Sequence, residues 1–285
     1  MRRTVYICRA LFFVVVAVAA SNVLSQDLSG FEETLSKGNT EQKRDALMQL
    51  RSYRSEAASR IAVLALKDKD AIVRATAAST VLFLPPGEAV AALSPLLSDK
   101  DEFVRREGAA ALGETREPTA GALLNSALTN DKSPEVKTAA AIALGKTGDP
   151  ASVNILTRML NDKPSEENEM FRRAVVRSIG QIAQIMRGGT AHVLTPQNFL
   201  PESFKDVDSA PTAALLTHFA DAQRVLVRLL DSTQEADDAR REAAFSLGSI
   251  GDPASMAILN KYRSSPDPYM AEIAKEALLK LRRPQ

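Results

Sequence analysis

Apolar and small residues recur along this chain in short blocks, each of which opens on an apolar position and closes on another. The blocks open at Val73, Val104, Val136, Phe171, Ala239 and Met270. Successive openings are 31, 32, 35, 68 and 31 residues apart, and "QKRDALMQL" (42–50) fits the same frame one step earlier. Seven units with a period near 31 are typical of a helical repeat array.

Each unit is expected to form two helices that bury one apolar face each. In "GDPASVNILTRMLND" (148–162), Asp149 is placed to cap a first helix, and Pro150 is placed to occupy its first position. The apolar residues on one face of this helix are Val153, Leu156 and Leu160. Because one helix pair cannot bury its apolar stripe alone, neighbouring pairs are expected to stack.

The second helix of a unit is expected to run from about Pro134 to Leu144. Gly145 follows it and is expected to close it in a left-handed conformation. In the Gly-Asp-Pro turns at 148–150 and 251–253, the glycine signals the end of one helix, and the Asp-Pro pair directly after it signals the start of the next. "TREP" (115–118) occupies the same place with different chemistry.

The step of 68 residues contains a stretch without helical periodicity, "MRGGTAHVLTPQNFLPESFKDVDSAP" (186–211). Its prolines at 196, 201 and 211 would interrupt a helix pair. We therefore predict one repeat with an insertion of about 25–35 residues, in preference to a second, degenerate repeat. A strong helix follows, whose apolar face is formed by Leu215, Phe219, Ala222, Leu226 and Leu229.

The units resemble HEAT-like repeats of the phycobilisome-lyase type, which typically read D-x-x-V-R-x-x-A-A-x-A-L-G-x-x-G-D-x-x-A. The resemblance is closest in "DEFVRREGAAALGETREPTAGALL" (101–124) and "DARREAAFSLGSIGDPASMAIL" (238–259), and it covers roughly residues 40–285. It implies an all-α fold, a right-handed α-solenoid of about seven two-helix repeats with one long insertion. Such repeats serve many binding roles, so the resemblance leaves the ligand open.

The first 25 residues have the layout of a secretory signal peptide. Three arginines and no acid in "MRRTVYICRA" precede the apolar run "LFFVVVAVAA", and small residues follow. We expect cleavage after Ser25, or otherwise after Ala20, which leaves a repeat domain at 26–285; an uncleaved anchor is the alternative. The apolar run is short for a membrane span, so the mature chain is not expected to be an integral membrane protein.

Cleavage would leave 33 basic and 35 acidic residues, a net charge of −2, which does not favour nucleic-acid binding. It would also remove Cys8, the single cysteine, and with it disulfide and thiolate chemistry. The chain has no N-x-[ST] glycosylation acceptor either. An exported chain with neither feature is typical of a bacterium, so we expect a periplasmic or secreted protein.

A cation follows the opening residue in most units, with an acid nearby. These cations are Arg74, Arg105, Lys137, Arg172 and Arg240. The resemblance implies that they pair with an acid of an adjacent unit and hold the repeats together. The alternative is that they form a charged binding ladder.

The first candidate binding site is the face of the second helices, which lines the concave side in related arrays. Residues two, three and six positions after the opening residue are expected to point outward from the core. This predicts a strip formed by Arg106, Arg173, Arg177, Arg241 and Phe245, with Arg187 near the insertion. The strip would hold an acidic protein segment or an anionic polymer, unless Glu107 and Glu242 on the same face compensate it.

The second candidate is the insertion at 186–211, because long irregular connections in compact arrays are often functional. Phe199, Leu200 and Phe204 lie near Pro201 and offer an apolar contact to a partner protein. The alternative is that these side chains pack back onto the array as a structural cover.

Few motifs in the sequence indicate catalysis. "ALGKT" (143–147) imitates the end of a phosphate-binding loop, but Ala140 stands where that loop needs a glycine. Iron-dependent hydroxylases of this repeat type use repeated His-Glu pairs, whereas His192 and His218 are not followed by Glu. Bilin-attaching lyases act on cytosolic proteins, so an export signal argues against that activity for this chain. A metal site built on the two histidines and an aspartate stays open as an alternative.

We therefore predict a non-catalytic protein-binding scaffold or adaptor in the bacterial cell envelope, with no cofactor or metal. The expected partner is another protein of the envelope, bound through the concave face, the insertion, or both. The alternatives are a metal-assisted enzyme that uses His192 or His218, and a binder of anionic envelope polymer or lipid. The oligomeric state is not predicted.

Overall fold

The computed structural model describes residues 28–188 and 211–281, and within these ranges it holds fourteen α-helices and no strand. The helices are α1 (Ser29–Lys37), α2 (Thr40–Ser52), α3 (Glu56–Ala62), α4 (Ala71–Thr80), α5 (Pro86–Leu93), α6 (Glu102–Glu114), α7 (Gly121–Asn130), α8 (Pro134–Thr147), α9 (Val153–Met159), α10 (Glu169–Met186), α11 (Ala213–Asp231), α12 (Asp237–Ile250), α13 (Met256–Tyr262) and α14 (Pro268–Leu281). Short 3₁₀ turns precede or extend several of them.

The helices form seven consecutive pairs, as the repeat pattern predicts, and the fold is an all-α repeat solenoid. The chain divides into two compact units. In the first unit, described from residue 28 to residue 85, α2 packs against α4. In the second unit, which starts at Pro86, the second helices α6, α8, α10, α12 and α14 pack in succession. Each first helix of that unit packs against its own second helix.

The turns between pairs lie where the sequence places them. Gly148 and Gly251 have φ angles of 70° and 80° and close α8 and α12 in the left-handed conformation. The carboxylate of Asp149 then accepts a hydrogen bond from the N–H of Ala151 at 3.0 Å, which starts the next helical segment. In the "TREP" turn, Arg116 takes the same left-handed place with a φ of 53°.

Gly145 does not close α8, so the prediction for this residue is wrong. The helix continues to Thr147, and Gly145 lies inside it. A Cβ atom at Gly145 would lie 2.9 Å from the Cα of Ser178 in α10. The residue is therefore required by the close approach of two helices, and Gly148 supplies the left-handed cap.

Gly145 belongs to a regular series at the crossings of the second helices. The twelfth residue of one helix faces the tenth residue of the next, and both are small. The pairs are Gly113 and Ala143, Gly145 and Ser178, Gly180 and Ser246, and Gly248 and Ala277, where an added Cβ would lie 2.7–2.9 Å from the Cα of the facing residue. In α14 the twelfth residue is Leu279, which is 62% exposed.

Within the described residues, the step of 68 residues holds one helix pair, and α10 packs directly against α12. α11 is the first helix of the sixth pair and packs against α12. All five residues of its predicted apolar face, from Leu215 to Leu229, are buried. The predicted signal peptide and residues 189–210 of the insertion lie outside the described residues. Within the described ranges, no helix has the length and apolar character needed to cross a membrane.

Candidate binding face on the second helices

Two of the recurrent cations hold neighbouring repeats together, as the resemblance implies. The Nε of Arg105 in α6 donates to Asp131, in the turn before α8, at 2.7 Å. That hydrogen bond holds the pKa of Asp131 below its ordinary value. Arg172 in α10 pairs with Glu235, in the turn before α12, and both side chains are buried. At these positions the cation has a structural role.

The four arginines of the predicted strip lie on second helices of the second unit, and each is beside a carboxylate. Arg106 pairs with Glu107 of the same helix at 2.9 Å. The Nε of Arg241 donates to Asp267, before α14, at 2.7 Å. This hydrogen bond raises the pKa of Arg241 above its ordinary value. The strip is therefore closer to neutral than the sequence suggests.

The other two strip arginines join α10 to α12. Arg173 pairs with Asp238 at 2.8 Å and lies 3.6 Å from Glu242, while the Nε of Arg177 donates to Glu242 Oε1 at 2.8 Å. Glu242 is fully buried, and its Oε2 has no hydrogen-bond partner in the part of the chain that the structure describes. Burial raises the pKa of Glu242 above its ordinary value, and the hydrogen bond from Arg177 opposes this shift.

Glu242 and Phe245 do not point into solvent, which corrects the sequence prediction. α12 packs against α10, α11 and α14, so the residues six and nine positions into it face neighbouring helices. Phe245 is 8% exposed, and Lys280 of α14 lies 5.4 Å from its ring centroid. Arg187 is also buried, and it donates to the carbonyl of Ser249 at 2.8 Å, at the C-terminus of α12. None of these three side chains is available on the face.

Replacing Glu242 by glutamine is expected to alter the pH dependence of stability. Because the pKa of Glu242 is raised on folding, its contribution to stability is fully present below the unfolded-state pKa and is lost as pH rises through the folded-state pKa. Glutamine does not titrate, so the variant gains stability relative to the wild type as pH rises through this range. Urea midpoints between about pH 4 and pH 8 measure the difference.

Asp131→Asn is the matched control, because the pKa of Asp131 is lowered by Arg105. Stability from Asp131 is present above the unfolded-state pKa and is lost as pH falls through the folded-state pKa. This variant therefore loses stability relative to the wild type as pH rises through the acid range. If the difference in stability between Glu242→Gln and the wild type stays constant with pH, burial does not raise the pKa of Glu242 and the prediction is wrong.

Three second helices carry an exposed apolar side chain at their second position, outside the strip predicted from the sequence. Phe103, Met170 and Tyr269 are 37%, 75% and 59% exposed. The guanidinium of Arg106 lies 4.9 Å from the ring centroid of Phe103, and that of Arg241 lies 5.9 Å from the centroid of Tyr269. The sequence signal was an apolar residue just before the opening residue. The two other second helices of the second unit carry Glu135 and Asp238 at this position.

These side chains and the arginines beside them define the second-helix face. Its members are Phe103, Arg106, Met170, Arg173, Arg177, Arg241 and Tyr269. The exposed apolar groups alternate along the second unit with charged groups whose positions are fixed by ion pairs. This arrangement offers both apolar and charged contacts to a partner.

The described ranges contain no group of three or more His, Cys, Asp or Glu side chains placed to hold a metal ion. His218 lies on α11, where its Nε2 is 2.8 Å from the carbonyl oxygen of Pro150 and its ring is edge-on to Phe219. This contact gives His218 a packing role between α11 and the turn before α9. The second histidine and the three apolar residues predicted in the insertion lie outside the described residues; they are His192, Phe199, Leu200 and Phe204.

Comparison with protein families finds HEAT repeats over residues 61–133 and 90–180, and a PBS lyase HEAT-like repeat over residues 239–262. No curated protein matches the sequence. The chain therefore contains HEAT repeats over part of its length, and one of them is of the phycobilisome-lyase type that the sequence pattern resembles.

Several solved structures are similar. One engineered protein is 20% identical with a TM-score of 0.55, over 90% of this chain and 69% of that chain. A second engineered protein is 21% identical with a TM-score of 0.50, over 90% of this chain and 96% of that chain. The complex of CpcE and CpcF of phycocyanin lyase from Nostoc sp. is 19% identical with a TM-score of 0.49, over 89% of this chain and 87% of that chain. The two engineered structures support the repeat-solenoid fold.

Proposed function

We propose that this protein is a non-catalytic scaffold that binds a partner protein along the second-helix face. The observation that carries the proposal is the exposure of Phe103, Met170 and Tyr269 at equivalent positions of three repeats. Aromatic, methionine and arginine side chains are enriched at the centres of protein interfaces. A repeat array suits this role because each further unit adds contact surface.

The pairing of the arginines favours a protein segment over an anionic polymer. Asp238 pairs with both Arg173 and Arg241, at 2.8 and 2.7 Å, so the face has little net positive charge to attract a polyanion. The ion pairs also hold the arginine side chains in place before a partner binds, which lowers the entropy cost of binding. A segment with apolar side chains and charges of both signs is the best complement.

We place this role in the bacterial cell envelope on the basis of the signal-peptide pattern in residues 1–25. The partner is then an envelope protein that the chain meets after export. The insertion at 186–211 is a second contact region in this proposal, because it joins two repeats of the unit that carries the second-helix face.

Replacing Phe103, Met170 and Tyr269 together by serine is expected to weaken partner binding by more than about tenfold. Each apolar side chain contributes on the order of 1–3 kcal/mol when it is buried at an interface, and about 1.4 kcal/mol is a tenfold change in affinity. The measurement is a pull-down from envelope extract with the purified protein as bait. The captured partner is then titrated against the wild type and the variant.

The matched control replaces Met48 and Leu64 by serine, since these residues are 62% and 61% exposed but belong to the first unit. A further variant replaces residues 189–209 by a short Gly/Ser linker. If the linker variant loses the partner and the triple-serine variant keeps it, the insertion is the binding site and the second-helix face is not. A partner that binds all three variants equally would contradict both assignments.

A further inference from the structure

Three arginines line one cavity between the first helices of the fifth and sixth pairs. Arg158 lies in the last turn of α9, and Arg224 and Arg228 lie one turn apart on α11. The cavity has a volume of about 310 Å³. Its other lining residues are Thr157, Asn161, Asp221 and Val225.

Two of these arginines lack the partners that arginines on the second-helix face have. Arg224 pairs with Asp221, and both side chains are exposed. Arg158 and Arg228 form no ion pair or side-chain hydrogen bond with any residue that the structure describes. The first helices of the fifth and sixth pairs therefore carry two positive charges that have no ion-pair partner among the described residues.

The arrangement carries a cost that a bound anion would remove. Arg224 and Arg228 are four residues apart on one helix, where like charges repel. Arg158 approaches the same cavity from α9, so three guanidinium groups and one carboxylate leave it with a net charge of +2. The side-chain amide of Asn161 adds a neutral hydrogen-bond donor at the same cavity.

We infer that this cavity is a binding site for a phosphate group. Guanidinium groups present donors in a planar fork that matches two phosphate oxygens, and they stay charged at any physiological pH. Three of them, from two helices, line a cavity whose volume suits a small ligand. Free phosphate, a small phosphorylated molecule and a phospholipid headgroup share this chemistry. The inference does not depend on the second-helix face.

The test uses the purified protein with two probes. Inorganic phosphate is titrated by isothermal calorimetry, and vesicles of phosphatidylglycerol and phosphatidylcholine are tested by co-sedimentation. Saturable binding is expected with at least one probe, weakened about tenfold by Arg158→Gln or Arg228→Gln. Asp221→Asn is expected to tighten binding, because it removes the carboxylate that competes for Arg224. Binding to phosphate indicates a soluble ligand, and binding to vesicles alone indicates a lipid headgroup.

Arg263→Gln is the matched control, since Arg263 is an exposed arginine that does not line the cavity. The substituted arginines in the cavity are exposed as well, so all variants are expected to keep the wild-type melting temperature. The inference is overturned if neither probe binds or if the cavity variants bind as tightly as the wild type. It is also overturned if Arg263→Gln weakens binding as much as Arg228→Gln does.

Discussion

Replacing Arg172 by alanine is expected to lower the free energy of unfolding by about 3–5 kcal/mol. The side chains of Arg172 and Glu235 are each only 5% exposed. Arg172 also donates to the carbonyl of Asp162 at 2.6 Å, so it ties α10 to the turn before it as well as to the turn before α12. Alanine would leave the Glu235 carboxylate buried without its cation. Urea denaturation followed by circular dichroism at 222 nm measures the loss.

Two further variants separate the buried charge from other causes. Arg172→Met combined with Glu235→Leu removes both charges and is expected to recover most of the stability, because apolar side chains replace a buried ion pair at little cost. Lys37→Ala breaks an exposed pair with Glu33 and is expected to change stability by less than about 0.5 kcal/mol. If the double variant is as unstable as Arg172→Ala, the loss comes from packing and the charge explanation is wrong.

Replacing Gly113 by alanine is expected to destabilise the protein by about 1–3 kcal/mol. The new Cβ atom would lie 2.7 Å from the Cα of Ala143, so α6 and α8 would have to move apart. Alanine is otherwise the better helix former by about 1 kcal/mol, and the clash has to exceed that gain. Thermal and urea denaturation of the variant measure the sum of the two effects.

Gly87→Ala is the control for the gain in helix formation. Gly87 lies in α5, and nothing lies within 4 Å of the place its Cβ would occupy. This variant is expected to be as stable as the wild type or more stable by about 0.5–1 kcal/mol. If Gly113→Ala lowers stability and Gly87→Ala raises it, the close helix crossing is the cause of the loss at Gly113. A Gly113 variant that is more stable than the wild type would show that the two backbones have room to separate.

The order and pairing of the helices could be predicted from the sequence because the signal repeats. Each repeat is recognised by several residues that recur with a period near 31, so a repeat that lacks one of these residues can still be identified. The apolar face of α11 was also predictable, since a 3.6-residue periodicity over 19 residues fits no other element. Gly145 could not be told apart from Gly148 as the left-handed cap of α8, because both are glycines near the end of the helix. Only the contact of Gly145 with the neighbouring helix distinguishes the two residues.

The binding face was less predictable, because its properties depend on residues far apart in the chain. Arg177 donates to Glu242, which is 65 residues away, and no local pattern indicates that pairing. The burial of Phe245 follows from the contacts of α12 with three other helices, whereas periodicity describes one helix alone. Met170 was not predictable for a related reason, since its exposure depends on the direction in which α10 packs.

Leu279 restricts where a further repeat could pack if the array gained repeats by gene duplication. A helix pair packed beside α14 would meet a leucine where α6, α8, α10 and α12 have a glycine, so it could not approach α14 as closely as these helices approach one another. A duplication between two glycine-bearing helices meets no such obstacle, because each copied unit brings a glycine at position twelve and a small residue at position ten. Tandem duplication of one of these four repeats would therefore extend the array with the same close helix crossings.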